Sequence, residues 1–190
     1  MMRMMIVFLF VFLAGCQNET TARKVDIYNG SGDMIGTAAF SEGKDGVNIK
    51  VKVTGLKPGP HGIHIHEIPS CKGPDFKSAG NHLNPEGKKH GLMNQDGAHL
   101  GDLPNIQADG SGKADADLTV SGATMKEGKK SLLNKAGSSI VITEDPDDGM
   151  TEPSGDSGQR IACGELNVEK NKKGKSPSDP TDIKEKKQGE

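Results

Sequence analysis

Short runs of alternating apolar and polar positions dominate this chain. The clearest covers residues 47–54. Val47, Ile49, Val51 and Val53 share one face, and Asn48, Lys50 and Lys52 share the other. Alternation with period two predicts a strand with one buried and one solvated face. Less regular runs predict strands over 25–28, 34–40 and 63–66. Turn-forming residues separate them, as in Asn29-Gly30 and Lys57-Pro58-Gly59-Pro60. Strand-like runs return over 114–120, 139–143 and 160–168. Helical periodicity is weak throughout, so the pattern predicts an all-β sandwich or barrel. From residue 67 to about 109 the alternation disappears, and Gly, Pro, Asn and His dominate. A structureless loop of that length is uncommon in a compact domain unless it serves a function.

The two ends depart from this pattern. Residues 1–12 carry a single charge, Arg3, and an apolar run covers 4–14. The run is short for a spanning helix and reads as a secretory signal, residues 1–15. It ends in Leu13-Ala14-Gly15-Cys16, which resembles a bacterial lipoprotein signal. That resemblance implies cleavage before Cys16 and a lipid on its thiol. The domain would then be exported and anchored to the outer face of a bacterial membrane without spanning it. Residues 16–23 read as the lipidated Cys and a polar tether. Residues 169–190 are rich in Lys, Glu, Ser and Pro, with Ile183 the one apolar side chain. Such a segment cannot bury enough surface to offset its ordering entropy, so it is expected to be disordered. Residues 24–168 remain, a length that suits one domain.

Composition narrows the options. The formal charge is −2 and no basic patch stands out within the domain, which argues against nucleic acid as a partner. With no Trp and one Tyr, the core must come from Val, Ile, Leu and Ala. Of three cysteines, Cys71 and Cys163 remain once Cys16 is lipidated. They either bridge or stay as free thiols. In an exported chain a bridge persists, and it would stabilise by roughly 3–5 kcal/mol.

All six histidines fall within residues 61–99. Histidine is the commonest metal ligand, so the cluster points to a metal site. His64 and His66 lie two apart in an extended run and should share one face, with Ile63 and Ile65 on the other. His61 has the opposite parity to His64 and reads as a structural, hydrogen-bonding histidine. Three more histidines, His82, His90 and His99, followed by Asp102, would complete a closed tetrahedral zinc shell. An imidazolate has two nitrogens, so one shared ligand could join that zinc to the His64/His66 pair.

Five motifs in order then resemble the copper/zinc superoxide dismutases. They are His61-Gly-Ile-His64-Ile-His66-Glu67, Ser78-Ala-Gly-Asn-His82-Leu-Asn-Pro85, Lys89-His90-Gly91, His99-Leu-Gly-Asp102-Leu-Pro-Asn-Ile106 and Gly158-Gln-Arg160-Ile-Ala-Cys163-Gly164. The resemblance runs from about residue 25 to 168. It implies a Greek-key β-sandwich or barrel with a long metal-binding loop and a Cys71–Cys163 bridge. It implies Zn²⁺ on His82, His90, His99 and Asp102, and Cu²⁺/Cu⁺ on His64, His66 and His82, with His82 bridging. Asp147 matches the carboxylate that links the two metal sites. Arg160 matches the arginine that attracts the anionic substrate, superoxide. In the implied cycle copper alternates between its two states, and His82 releases it and takes a proton.

One position departs from the family. The family carries a fourth copper-ligand histidine where this chain has Thr143, and no histidine follows His99. A hydroxyl is a poor copper ligand beside imidazole. Two expectations follow: a copper/zinc superoxide dismutase, or a zinc-containing, catalytically weak lipoprotein relative that binds copper or is structural.

Overall fold

The computed structural model describes residues 22–168. The expected signal segment, Cys16, most of the tether and the tail lie outside the described residues. Among the described residues there is no α-helix, only a 3-10 turn at Lys77–Ala79. No helix there is long and apolar enough to cross a membrane.

Among the described residues, nine strands form the domain: β1 (Arg23–Asn29), β2 (Met34–Glu42), β3 (Gly46–Val53), β4 (Gly59–His61), β5 (Ile63–His66), β6 (Ile106–Ala108), β7 (Ala114–Ser121), β8 (Gly137–Thr143) and β9 (Arg160–Asn167). Seven make one antiparallel sheet in the order β5-β8-β9-β1-β2-β3-β7, and β4 pairs with β6. Neighbours such as β9–β1, β3–β7 and β5–β8 are distant in sequence, as Greek-key connections require. Contacts between β6 and β7 bring the small sheet against the large one, giving a β-barrel.

The alternation read from residues 47–54 is realised in β3. Val47, Ile49, Val51 and Val53 are buried in the core, while Asn48, Lys50 and Lys52 face water. Across the strand pair, Lys50 meets Asp117 and Lys52 meets Asp115, each at 3.3 Å. Exposed pairs of this kind contribute about 0.2–1 kcal/mol each. The inner face matters more, since a fully buried Val or Ile contributes roughly 1.5–3 kcal/mol. The core is built mainly of Val, Ile, Leu and Ala, with Phe40 as its one aromatic.

Two short strands escaped the sequence reading. β4 lies in a segment read as a turn, and β6 lies inside the predicted irregular stretch. Three residues are too few to show a period, and each is a strand because the other pairs with it. The irregular stretch therefore ends at residue 105. β8 is buried along its whole length rather than on one face. On its outer side Val141 packs with Phe76, Ala79 and the Cys71–Cys163 disulfide, which forms a second small core beneath the loop.

Candidate metal centre

The parity of β5 builds the site. Ile63 and Ile65 enter the barrel core, which turns His64 and His66 outward, under the long loop that buries them. The loop runs back along the strand, with isolated bridges placing His82 opposite His66 and Asp102 opposite His64. Two groups result. His64, His66 and His82 offer ligand atoms within 4.8 Å of one another, and so do His82, His90, His99 and Asp102. His82 belongs to both, and its ring stacks on His64 with centroids 4.0 Å apart.

Hydrogen bonds decide which nitrogen of each ring stays bare. A neutral imidazole has one N–H and one lone pair. His64 Nε2 donates to Asp147 Oδ2 at 2.7 Å, and His90 Nε2 donates to Asp147 Oδ1 at 3.1 Å. His66 Nδ1 donates to the Gly80 carbonyl at 3.0 Å. What remains is His64 Nδ1, His66 Nε2 and His90 Nδ1, all buried and without a hydrogen-bond partner. Buried polar atoms are rarely left so, because each costs about 1–3 kcal/mol. Three bare ring nitrogens within two ligand groups fit bound metal, and their N–H partners fix the tautomers.

Protonation states point the same way. Burial alone would raise the Asp102 carboxyl. Hydrogen bonds from His82 and the Gly91 N–H, with His90 and His99 alongside, hold it well below the usual carboxylate range. Burial opposes ionisation of Asp147 too, but hydrogen bonds from His64, Gly149 and His90 bring it down to about 2. Burial pushes His82 down to about 4, against the pull of its Asp102 hydrogen bond. Burial also pushes His66 well below its ordinary value, with His82 and Arg160 adding to the effect. Near neutral pH these two imidazoles are neutral and both carboxylates ionised, which is the state that binds metal.

Arg160 begins β9 at the rim of the site. Its guanidinium donates to the Phe76 carbonyl at 3.0 Å and to the Gly80 carbonyl at 2.9 Å. Gly80 O thus holds both Arg160 and His66. The loop segment carrying both carbonyls is tied to β9 by the Cys71–Cys163 bridge.

The model of the copper/zinc superoxide dismutase (SODC) family matches residues 34–166. The chain belongs to this family. It is 45% identical to superoxide dismutase [Cu-Zn] 2 of Aquifex aeolicus over 141 residues, covering 73% of this chain and 82% of that protein. It is 41% identical to the superoxide dismutase-like protein YojM of Bacillus subtilis over 153 residues, or 78% of each. The crystal structure of a SOD-like protein from Bacillus subtilis superposes with TM-score 0.75 at 39% identity, covering 77% of this chain and 99% of that one.

Within this superoxide dismutase fold, His61 stands apart from the other five histidines. His61 lies outside both ligand groups, its Nδ1 2.8 Å from the Thr143 carbonyl and its Nε2 2.8 Å from the Lys57 carbonyl. Thr143 is buried, and its hydroxyl donates to the Asp145 carbonyl at 3.2 Å. A Cβ on Gly62 would stand 2.4 Å from Thr143 Oγ1 and 3.2 Å from His64 Cε1, so that glycine is what lets hydroxyl and ring approach.

Three further residues shape the centre and were not singled out from the sequence. The Asn105 side-chain amide brackets Asp147, donating to its carbonyl and accepting from its N–H, both at 2.9 Å. Gly155, at φ +69°, admits no side chain, because a Cβ would lie 1.9 Å from Asp147 Oδ1 and 2.9 Å from His90 Nε2. Gly80 contributes only a carbonyl. Asn105 and Gly80 do lie inside motifs of the family, which was the one available signal.

Proposed function

We propose that the chain is a surface-anchored superoxide dismutase whose copper is held by three imidazoles instead of four. His64 Nδ1 and His66 Nε2, with His82, would hold copper, and His82, His90, His99 and Asp102 would hold zinc. The observation that carries this reading is the pair of ligand groups sharing His82, with bare nitrogens in both. Bound copper supplies one-electron redox chemistry, and bound zinc a fixed positive charge. Arg160, held by two carbonyls, offers a preoriented cation to the superoxide anion. His82 Nε2 would hold a proton for the peroxide product. Asp147 keeps His64 and His90 in their metal-binding tautomers. Export through residues 1–15 and a lipid on Cys16 complete the proposal.

One observation favours a second reading, a zinc-bound relative with little turnover. The family resemblance would put the fourth copper ligand at Thr143, whose hydroxyl is engaged with the Asp145 carbonyl. Three imidazoles suit Cu⁺, whereas Cu²⁺ gains from a fourth nitrogen. Metal analysis of the purified protein, with superoxide decay measured after loading with copper and zinc, separates the two. One zinc and one copper with decay far above free buffer is the result expected for the dismutase. One zinc, negligible Cu²⁺ and no decay above buffer would establish the second reading.

A further inference from the structure

Lysines that look scattered in the sequence meet at one end of the barrel. The segment between β7 and β8 contains Lys126, Lys129, Lys130 and Lys135 against a single acid, Glu127. A second loop joins it, because Glu86 pairs with Lys130 at 2.9 Å and brings Lys88 alongside. Glu86-Gly87-Lys88-Lys89 and Glu127-Gly128-Lys129-Lys130 are the same four-residue motif used twice. All these lysines are exposed except Lys130, which is half-buried. The platform beneath them is well held. Glu42 accepts from the Thr124 hydroxyl and the Met125 N–H, Leu132 N donates to Thr124 O, and Leu132 is fully buried.

The opposite end carries the reverse sign. The segment between β8 and β9 contains Glu144, Asp145, Asp147, Asp148, Glu152 and Asp156 and no lysine. Successive antiparallel strands place these two segments at opposite ends of the barrel, so the domain is electrically polarised along its axis. Both ends of the described chain emerge at the cationic end. Arg23, at the start of β1, donates to the Asn167 carbonyl at the end of β9, and Val168 N donates to Ala136 O beside Lys135. The sequence runs from there to Cys16 in one direction. In the other it runs into residues 169–190, which hold seven lysines and five acids.

We infer that this lysine-rich end is a docking face for an anionic phospholipid surface. The inference rests on the proposed anchoring through Cys16. The six Cα–Cα steps from Cys16 to Ala22 span at most about 20–22 Å, which keeps this end beside the bilayer. Basic side chains so placed fall within reach of a negative surface potential that decays over about 8 Å at physiological salt. Each is worth roughly fivefold in binding there. The barrel then stands with its acidic end away from the membrane.

The test is a lysine footprint. The full-length lipidated chain is placed on phosphatidylcholine vesicles, with or without 30% phosphatidylglycerol (about the anionic content to be probed). Amine labelling is then read residue by residue by mass spectrometry. Labelling of Lys88, Lys126, Lys129 and Lys130 is expected to fall about fivefold or more with phosphatidylglycerol and to recover in high salt. Lys57 and Lys113, at the other end, are expected to stay unchanged. Changing Lys126→Glu, Lys129→Glu and Lys130→Glu together should abolish the protection of Lys88. Equal labelling on the two vesicle types overturns the inference. So does protection by soluble polyphosphate but not by phosphatidylglycerol vesicles, since the partner would then be an anionic polymer. The mass of the N-terminal peptide reports separately whether Cys16 is lipidated, so failure of the anchor and failure of the docking face are distinguishable.

Discussion

At the scale of single residues, the centre is shaped by groups that lie behind the candidate ligand side chains. Asp147 binds the outer nitrogens of His64 and His90, and Asn105 and Gly155 fix Asp147 in turn. Losing such an outer partner typically costs about 10–100-fold in metal affinity. Asp147→Asn is expected to weaken zinc binding in that range, read by competition with a chromophoric chelator. Thr143→His should act in the opposite sense on copper. Supplying a fourth imidazole is expected to tighten Cu²⁺ binding by about tenfold or more, equivalent to ~1.4 kcal/mol, and Cu²⁺ competition titration would measure it. Unchanged affinity would mean that residue 143 is not at the missing ligand position.

Protonation gives a further residue-scale prediction for the metal-free protein. Burial lowers His66 and His82, so the folded state favours their neutral forms. Their contribution is complete above the unfolded value near 6.5 and is lost as pH falls toward about 4, the folded value for His82. Asp147, lowered to about 2, adds stability that is present above the usual carboxylate value near 4 and disappears below it. The urea midpoint of chelator-treated protein should therefore fall steadily from pH 7 to pH 4 and further at lower pH.

At the scale of elements, the long loop is held by three different means. The disulfide ties it to β9, Phe76 and Ala79 pack against Val141, and the ligand side chains converge over β5. The loop's polar composition therefore does not make it a free loop. Replacing Cys71 and Cys163 by Ser is expected to lower stability by about 2–5 kcal/mol, measured by denaturant unfolding. The same change releases the segment that carries the Phe76 and Gly80 carbonyls, and with it the grip on Arg160. β3 and β7 were legible in advance because each is long enough to show alternation. β4 and β6 were not, since a three-residue strand is defined by its partner and not by its own pattern.

At the scale of the whole molecule, stability has two parts. A Val/Ile/Leu/Ala core fills the barrel, and a polar, ligand-rich layer covers β5 and β8. On the proposed function, only the second part depends on metal. Chelation is therefore expected to raise amide exchange across residues 67–105 strongly while leaving β1, β2, β3 and β7 protected. Hydrogen-exchange mass spectrometry reads the contrast, and uniform deprotection would show that barrel and loop unfold as one unit. Charge is also arranged at this scale, since a chain of formal charge −2 separates a lysine-rich end from an acid-rich end.

What the sequence determined alone is whatever local order or motif order can encode. Alternation specified the main strands, and parity set His64 and His66 apart from Ile63 and Ile65. Five ordered motifs identified the family, and the absence of any histidine after His99 was legible along the chain. Only the tertiary structure decided what depends on distant segments meeting. Asp147 links His64 and His90 across 83 and 57 residues, and that pairing selects the bare nitrogens. Gly80 couples His66, 14 residues before it, to Arg160, 80 residues after it. Two lysine motifs that show no patch along the chain become one surface through the Glu86–Lys130 contact. Periodicity is a property of neighbours in sequence, whereas a metal centre and an electrostatic face are properties of neighbours in space.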